Sequence, residues 1–515
     1  MSGLGLTGIA DGYRTPGNFA EILFAQGSSS AKAGEREVVF VMPMTSAGTW
    51  TANTLYGPFD NEQEVQDGSG AGSPLHRGIR RYLTLNPGSK VYAVPYAASS
   101  GSPATATLGL VIANSATGSG VINLTVAGEL CQAGVSSGDS VTTMGDAIEL
   151  SINNKTHLPV TASNSAGTVT LTAKIAGASQ GNGTIDSIRC YAEVTAGIAT
   201  TVALSSGDAL GDDTAGADGT TTEAANFNTA LAILNSNLKY YIVSSLNDAT
   251  SLGHLKTHIT NKSLPKKGLR SVGIAAYSHT LAAAQTIATT LNYERIQLAL
   301  APSFQSTPDE IAGAIAAIRQ QKEGTDSSAN FNGEKLPGIV GPYATTNWIT
   351  NGDADVEDAI IDGLTPISTQ ADGTRIVHSV STRSKDSTGA LNDPRASRTL
   401  KISTPDKFTA DLLVRFGLRY GQKKFKDDEK LADGSVNPNQ KQVAGVVRPS
   451  NVRSTIVQLL DEYEDEHLQN VAASKAALVV EKSAVNGGRA AAGLPLHVID
   501  WLDQFTLRVS EVSPS

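Results

Sequence analysis

The sequence predicts an α/β protein: a doubly wound, largely parallel sheet interrupted by an all-β insertion and followed by a mixed α+β C-terminal part. Three observations carry this. From Glu223 onward, short β-branched runs alternate with amphipathic helical stretches, the pattern of a parallel sheet wrapped in helices. From Thr105 to about Leu204 the chain instead alternates Thr, Val, Ile and Gly, which suits an antiparallel sandwich or small barrel. Both ends carry strand-like segments with no partner nearby in sequence: Asn18-Phe19-Ala20-Glu21-Ile22-Leu23-Phe24 and Gln504-Phe505-Thr506-Leu507-Arg508-Val509-Ser510.

In order, residues 35–43 and 88–97 read as short buried strands, and the stretch 61–83 between them is partly helical, with Ile79, Tyr82 and Leu83 on one side. Residues 98–104, rich in Ser, Gly, Pro and Ala, read as a flexible entry to the insertion. Within the insertion a helix is expected over 141–153, carrying Met144, Ile148 and Leu150, and the Asp-rich loop 205–222 closes it. The α/β pattern then gives a helix through Phe227, Ala230, Leu231 and Leu234, a strand over 240–244, and a helix through Leu252, Leu255 and Ile259. A strand over 271–275, a helix through Leu281, Ala284, Ala288 and Leu291, and a strand over 295–300 continue it. Thr307-Pro308-Asp309-Glu310 has the parts of a helix start: an N-cap threonine, proline at the first helical position and a glutamate three after the cap. Further on, helices are expected over 355–362, from Thr404 and over 453–470, with strands over 375–382 and 478–481. One α/β core split by the insertion is the economical reading, because the strands before residue 100 have too few helices of their own to cover them.

Of the 515 residues, 40% are apolar and only 5% aromatic, and the net charge of -9 argues against non-specific nucleic-acid binding, which needs a concentrated basic surface. No apolar run is long enough to cross a bilayer, and no secretory signal is visible, so membrane insertion is not expected and the site of synthesis is read as cytoplasmic. Two cysteines, Cys131 and Cys190, support neither a disulfide scaffold nor a structural zinc site.

Chemical motifs are weak. Gly3-Leu4-Gly5-Leu6-Thr7-Gly8 spells a dinucleotide fingerprint, but no strand precedes it and no amphipathic helix follows. His254 and His258 share a helix face without a third ligand. Gly134–Gly138 and Gly177–Gly181 spell GxSxG inside the β insertion, where a nucleophile elbow has no strand-to-helix turn to sit on. No catalytic residue, cofactor or metal site is expected. The dense acidic run Asp461, Glu462, Glu464, Asp465, Glu466 is either a solvated helix face or a surface for an oppositely charged partner, and the basic cluster Lys423, Lys424, Lys426 allows the same two readings.

Several stretches, in order along nearly the whole chain, resemble the tail sheath proteins of contractile bacteriophages, in the group with a subtilisin-like core. They are Arg14-Thr15-Pro16-Gly17-Asn18-Phe19-Ala20-Glu21-Ile22 at the start, Leu158-Pro159-Val160-Thr161-Ala162 with Val169–Lys174 in the insertion, Gly363-Leu364-Thr365-Pro366-Ile367 with Val377–Thr382, and Asn486-Gly487-Gly488-Arg489 before the last strand. The resemblance implies a virion structural subunit rather than an enzyme. Such subunits stack as six-fold rings around a tail tube between a baseplate and a tail terminator, link neighbours by strand-adding arms, and contract to drive the tube through the cell envelope. The same resemblance fits the sheath of a phage-tail-like bacteriocin or a type VI-like injection machine; an α/β hydrolase is the distant alternative.

The expected organisation is an N-terminal arm (1–25), a discontinuous core (26–104 and 223–344), an outer β domain with its linker (105–222), a tube-facing C-terminal domain (345–502) and a C-terminal arm (503–515). Phe19, Glu21, Ile22, Leu23, Phe505, Leu507 and Val509 are the expected inter-subunit contacts, with the strand at 478–481 among the acceptors. Asp461, Glu462 and Glu464 are the tube-facing candidates. Cys131 and Cys190 are either small buried residues or a possible disulfide, within one module or between neighbours.

Overall fold

The computed structural model describes residues 36–108, 115–180, 188–195, 214–237, 239–264, 267–343, 353–370, 372–383, 398–482 and 488–502. They fall into two compact units: one of residues 36–407, 460–479 and 493–502, the other of residues 408–459 and 480–492.

The first unit is built on a large, mostly parallel sheet. Its first three strands are β1 (Val38–Met44), β2 (Tyr56–Phe59) and, after helices α1 (Glu62–Ser69) and α2 (Pro74–Leu85), β3 (Val91–Ala97). The insertion follows with β4 (Pro103–Leu108), β5 (Gly120–Val126), β6 (Glu129–Val135), α3 (Val141–Asn153), β7 (Val160–Ser165), β8 (Thr168–Ala176) and β9 (Cys190–Val194). The α/β pattern resumes with α4 (Glu223–Ala232), β10 (Tyr241–Ser244), α5 (Ala249–Ser263), β11 (Val272–Tyr277), α6 (Leu281–Leu291), β12 (Ile296–Leu300), α7 (Pro308–Thr325), α8 (Asp353–Ile361), β13 (Thr365–Gln370) and β14 (Gly373–Ile376). The sheet order is β14-β13-β12-β11-β10-β1-β3-β2, parallel throughout except for the antiparallel edge strands β14 and β2.

Burial on both faces explains the strand sequences. Along β1, Val38, Phe40 and Met42 enter the core under α2 and α7, whereas Val39 and Val41 enter the opposite core under α4, α5 and α6. A strand covered on both sides reads as a continuous apolar run. Helix α7 starts as the sequence predicts, with the Thr307 N–H donating to the Glu310 carboxylate at 3.4 Å. It passes very close to α2: a Cβ on Gly313 would lie 2.4 Å from the Gly78 carbonyl oxygen. Beside that crossing, Arg77 grips Asp309 through two hydrogen bonds, of 3.0 and 2.8 Å, with both side chains buried.

The insertion forms two three-stranded antiparallel sheets, β4-β8-β7 and β6-β5-β9, closed by α3 over a shared core that includes Ile122, Leu124, Val126, Met144, Ile148, Val169 and Leu171. Its connections are not the loose entry that their composition suggests. Ser102 and Ala217 exchange backbone hydrogen bonds of 3.0 and 3.1 Å, and the Ser100 N–H donates to the Thr221 carbonyl at 3.2 Å. The Ser99 hydroxyl donates to the same Thr221 carbonyl, and the Asn226 amide on α4 reaches back to the carbonyl of Ala97 at 2.9 Å. Entry and exit strands therefore form a paired stalk.

The second unit contains most of α9 (Leu400–Tyr420), the two-residue strands β15 (Lys424–Phe425) and β16 (Val446–Val447), and the larger part of α10 (Pro449–Tyr463). Helix α11 (Val471–Ala477) belongs to the first unit; β17 (Val479–Lys482) and β18 (Ala490–Gly493) then form a two-stranded ribbon, most of it in the second. Arg448 organises the loop 427–441, donating to the Asp427 carbonyl at 2.8 Å and to Glu429 at 3.0 Å. Arg419 ties α9 to α10 through Thr455 and Gln458.

Two helices differ from the sequence expectation by a turn or more. Helix α9 starts at Leu400 rather than Thr404 and carries Pro405 in its second turn. Tertiary anchors hold that early start: the Ser403 hydroxyl donates to Glu323 at 2.8 Å, and the Thr404 hydroxyl to the Ser327 carbonyl at 3.1 Å. The helix expected over 453–470 ends at Tyr463, because Leu468 turns back into the core and its N–H, like that of His467, bonds the Tyr463 carbonyl.

Candidate assembly interface

Within the first unit, the points where the chain leaves for its two terminal segments are anchored to the same pair of elements. At the N-terminal root, Arg36 lies 2.9 Å from Glu323 on α7, donates to the Ser403 carbonyl on α9 at 2.6 Å, and stacks over the Tyr240 ring at 4.1 Å. Glu323 also accepts from Arg319 at 2.8 and 3.0 Å, from Ser403, and from Tyr241. Burial alone would raise its pKa, but the Arg319 and Arg36 guanidiniums outweigh that, and the carboxylate stays charged below its ordinary range. At the C-terminal root, the Trp501 indole donates to the Ser328 carbonyl just past α7 at 2.8 Å and packs edge-on against Phe331. Lys401 and Arg398, in and just before the first turn of α9, pair with Asp500 at 2.6 and 3.5 Å.

The expected arm residues Phe19, Glu21, Ile22, Leu23, Phe505, Leu507 and Val509 lie outside the described residues. The expected acceptor strand is present as β17 and pairs with β18, a strand the sequence analysis did not mark. Val479 is 58% exposed, no residue of either strand is buried, and no third strand joins the ribbon among the described residues. A two-stranded ribbon is marginal alone, and its open edges offer unpaired N–H and C=O groups.

The tube-facing candidates are not on one helix face. Asp461 and Glu462 occupy the last turn of α10, whereas Glu464 lies beyond its end and bridges Leu468. All three are exposed, and Lys475 on α11 pairs with Asp461 and stands 3.9 Å from Glu464, so the run is partly neutralised. Sequence reasoning missed a different surface: Val414 and Leu418 are exposed one turn apart on α9, as is Leu413, shortly before exposed Lys423, Lys424 and Lys426. The i, i+4 spacing of Val414 and Leu418 was its available signal.

Cys131 and Cys190 are each 1% exposed and not joined by a disulfide. They sit on β6 and β9, the strands flanking β5, opposite Leu124 and Val126. With β5 between them, their strands are about 10 Å apart, beyond disulfide reach. Both face the insertion's core, so the bond between neighbours, which needs outward-facing thiols, has no exposed sulfur to start from. Burial pushes the Cys131 thiol up to about 11.

The stalk continues from the carboxyl end of β3, at Ala97. At its base Glu223, at the first position of α4, accepts from the Ser179 N–H at 3.1 Å and hydroxyl at 2.8 Å. Burial, reinforced by Asp218 and Asp248 and opposed by the Ser179 bonds, raises its pKa to about 7. The insertion also docks on its unit elsewhere. Lys174 donates to the Ala71 carbonyl at 3.2 Å, and Tyr191 stacks on Tyr343 with ring centroids 4.2 Å apart.

The fold thus defines a mixed α/β protein with a large, mostly parallel sheet, an inserted β module and a second unit bearing most of a two-stranded ribbon. No protein-family model matches the chain, and no curated protein matches it. Among solved structures it is similar to a sheath tail protein from Desulfitobacterium hafniense, with 13% identity and a TM-score of 0.44, covering 94% of this chain and 100% of that one. A sheath tail protein from Listeria innocua gives 14% identity and a TM-score of 0.47, covering 92% and 94%. The anti-feeding prophage helical sheath in its contracted state gives 11% and 0.45, covering 97% and 100%.

Proposed function

We propose that the chain is a structural subunit of a contractile sheath, polymerising around an inner tube through its terminal arms. The observation that carries this reading is the exposed ribbon β17–β18, whose edges lack a third strand among the described residues, in a chain whose two ends both carry strand-like segments. The order of sheath-like stretches along the sequence supports it. In this reading the arms of one subunit extend the ribbon of a neighbour, the α/β core turns during contraction, and the work comes from interface free energy. The insertion faces outward, the C-terminal part faces the tube, and Asp461, Glu462 and Glu464 contribute to that contact. Stacked six-fold rings, baseplate and terminator partners, and a place in a virion tail belong to the same proposal.

Deleting residues 503–515 tests it. The expected product is a folded monomer that forms no tubes by electron microscopy; tubes from the truncated chain overturn the arm mechanism. Neutralising Asp461, Glu462 and Glu464 should weaken co-sedimentation with the tube, and unchanged co-sedimentation removes those residues from the contact.

A further inference from the structure

The first turn of α9 is gripped from two sides. The Arg36 guanidinium donates to the Ser403 carbonyl at 2.6 Å, and the Ser403 hydroxyl donates to Glu323 at 2.8 Å. Two positions earlier, about 200° around the helix axis, the Lys401 ammonium lies 2.6 Å from Asp500. Arg398, just before the turn, donates to the Trp501 carbonyl at 3.4 Å. All of these residues belong to the first unit.

On its own this turn is a weak piece of helix. Pro405 has no N–H to offer the Lys401 carbonyl, and its ring crowds that carbonyl. The Lys401 and Ile402 N–H groups reach back three residues, to the carbonyls of Arg398 and Thr399, at 3.0 and 3.1 Å. Thr404-Pro405-Asp406 is moreover a good helix start in its own right, with threonine as N-cap, proline next and an acid in the first turn. From there on the helix keeps its own hold on the core, because Asp406 accepts two bonds from Arg295, of 2.6 and 3.0 Å. The chain therefore has two places to begin α9, Leu400 or Thr404, and the two roots favour Leu400.

We propose that this turn is a joint coupling the two ends of the chain: holding either root keeps the turn helical and so holds the other. Leu400, 1% exposed, is the pivot on which it opens. The coupling is a property of the two roots, and its use in assembly rests on the sheath reading above. There, a neighbour that steadies one arm steadies the root of the other as well. The next subunit then meets a preorganised end, and growth is cooperative.

Native-state proteolysis of the full-length monomer reads each root in turn, because cleavage of a briefly opened segment follows how often it opens. Trypsin cutting after Arg36 needs that side chain out of its contacts with Glu323 and Ser403. Chymotrypsin cutting after Trp501 needs the indole out of its seat beside Ser328 and Phe331. Asp500→Ala should speed the cut after Arg36, and Arg36→Ala should speed the cut after Trp501. Linkage requires the two remote increases to share one factor, expected at roughly tenfold. Pro405→Ala supplies the missing N–H and makes the turn self-supporting, so adding it to either variant should return the remote cut to its unsubstituted rate. Cleavage after Lys239, buried beside the large sheet, should not change. A remote cut that stays at its original rate, or that remains fast with Pro405→Ala, overturns the joint. So does a matching rise after Lys239, which would mean general destabilisation. The arm reading survives each of these results, since truncation of residues 503–515 tests it separately on tubes.

Discussion

The Arg36 guanidinium lies 2.9 Å from the Glu323 carboxylate, joining the first described residue of the chain to a carboxylate with 1% side-chain exposure at the far end of α7. Glu323 is the hub of this cluster, because Arg319, Ser403 and Tyr241 also donate to it. Glu323→Ala leaves two guanidiniums without their main acceptor and should cost about 3–5 kcal/mol. Arg36→Ala should cost less, since Glu323 keeps Arg319. Urea unfolding of the two variants checks the order.

Glu223→Gln should flatten a pH dependence. The native pKa of about 7 exceeds the ordinary value of 4.5, so between those two pH values the folded state binds more protons than the unfolded one. Stability therefore falls as pH rises from 4.5 to 7 and levels off above, by about 3 kcal/mol in total. The glutamine variant should lose that slope. Chemical denaturation at pH 5 and pH 8 reads the difference.

Gly101→Ala should open the stalk. A Cβ there would lie 1.7 Å from the Ala217 carbonyl oxygen, with no side chain to yield. Hydrogen exchange should rise over 99–102 and 217–222 while the strands of the large sheet keep their protection.

Gly313→Ala should push α7 from α2, because its Cβ would meet the Gly78 carbonyl at 2.4 Å. The expected cost is about 1–3 kcal/mol, measured by urea unfolding, and Gly324→Ala, with open space around it, should cost far less.

Neither cysteine should react with a thiol reagent in the native protein, and both should react in denaturant. Non-reducing electrophoresis should show one monomer band. A ladder would require exposed sulfurs that the insertion's core does not provide.

The large sheet was legible because its signals are local. Alternating apolar strands and 3.6-periodic helices depend on neighbours in sequence, and the Thr307–Glu310 cap needs only four residues. What stayed hidden depends on distant partners. The start of α9 is fixed by Ser403 meeting Glu323 eighty residues away, and the end of α10 by Leu468 turning into the core. The stalk looked loose because Ser, Gly and Ala carry no pattern, yet its order comes from pairing Ser102 with Ala217. The acidic run looked like a helix face because Lys475, which offsets it, lies on the next helix. Edge strand β2 and the internal strand β13 were missed: Tyr56–Phe59 contains Gly57 and Pro58, and Thr365–Gln370 contains Pro366, which weakens a strand reading.

The side-by-side pairing of Ser102 with Ala217 has a consequence for how such a chain can diversify. A segment whose entrance and exit touch imposes no span on its host, so the stretch between them is exchangeable cargo: trimmed to a hairpin turn, or replaced by any foreign fold whose own termini are close. The host sheet closes with β3 leading through a few residues into α4 whichever cargo is carried, which makes this junction the natural place to graft a tag, a receptor-binding module or a reporter.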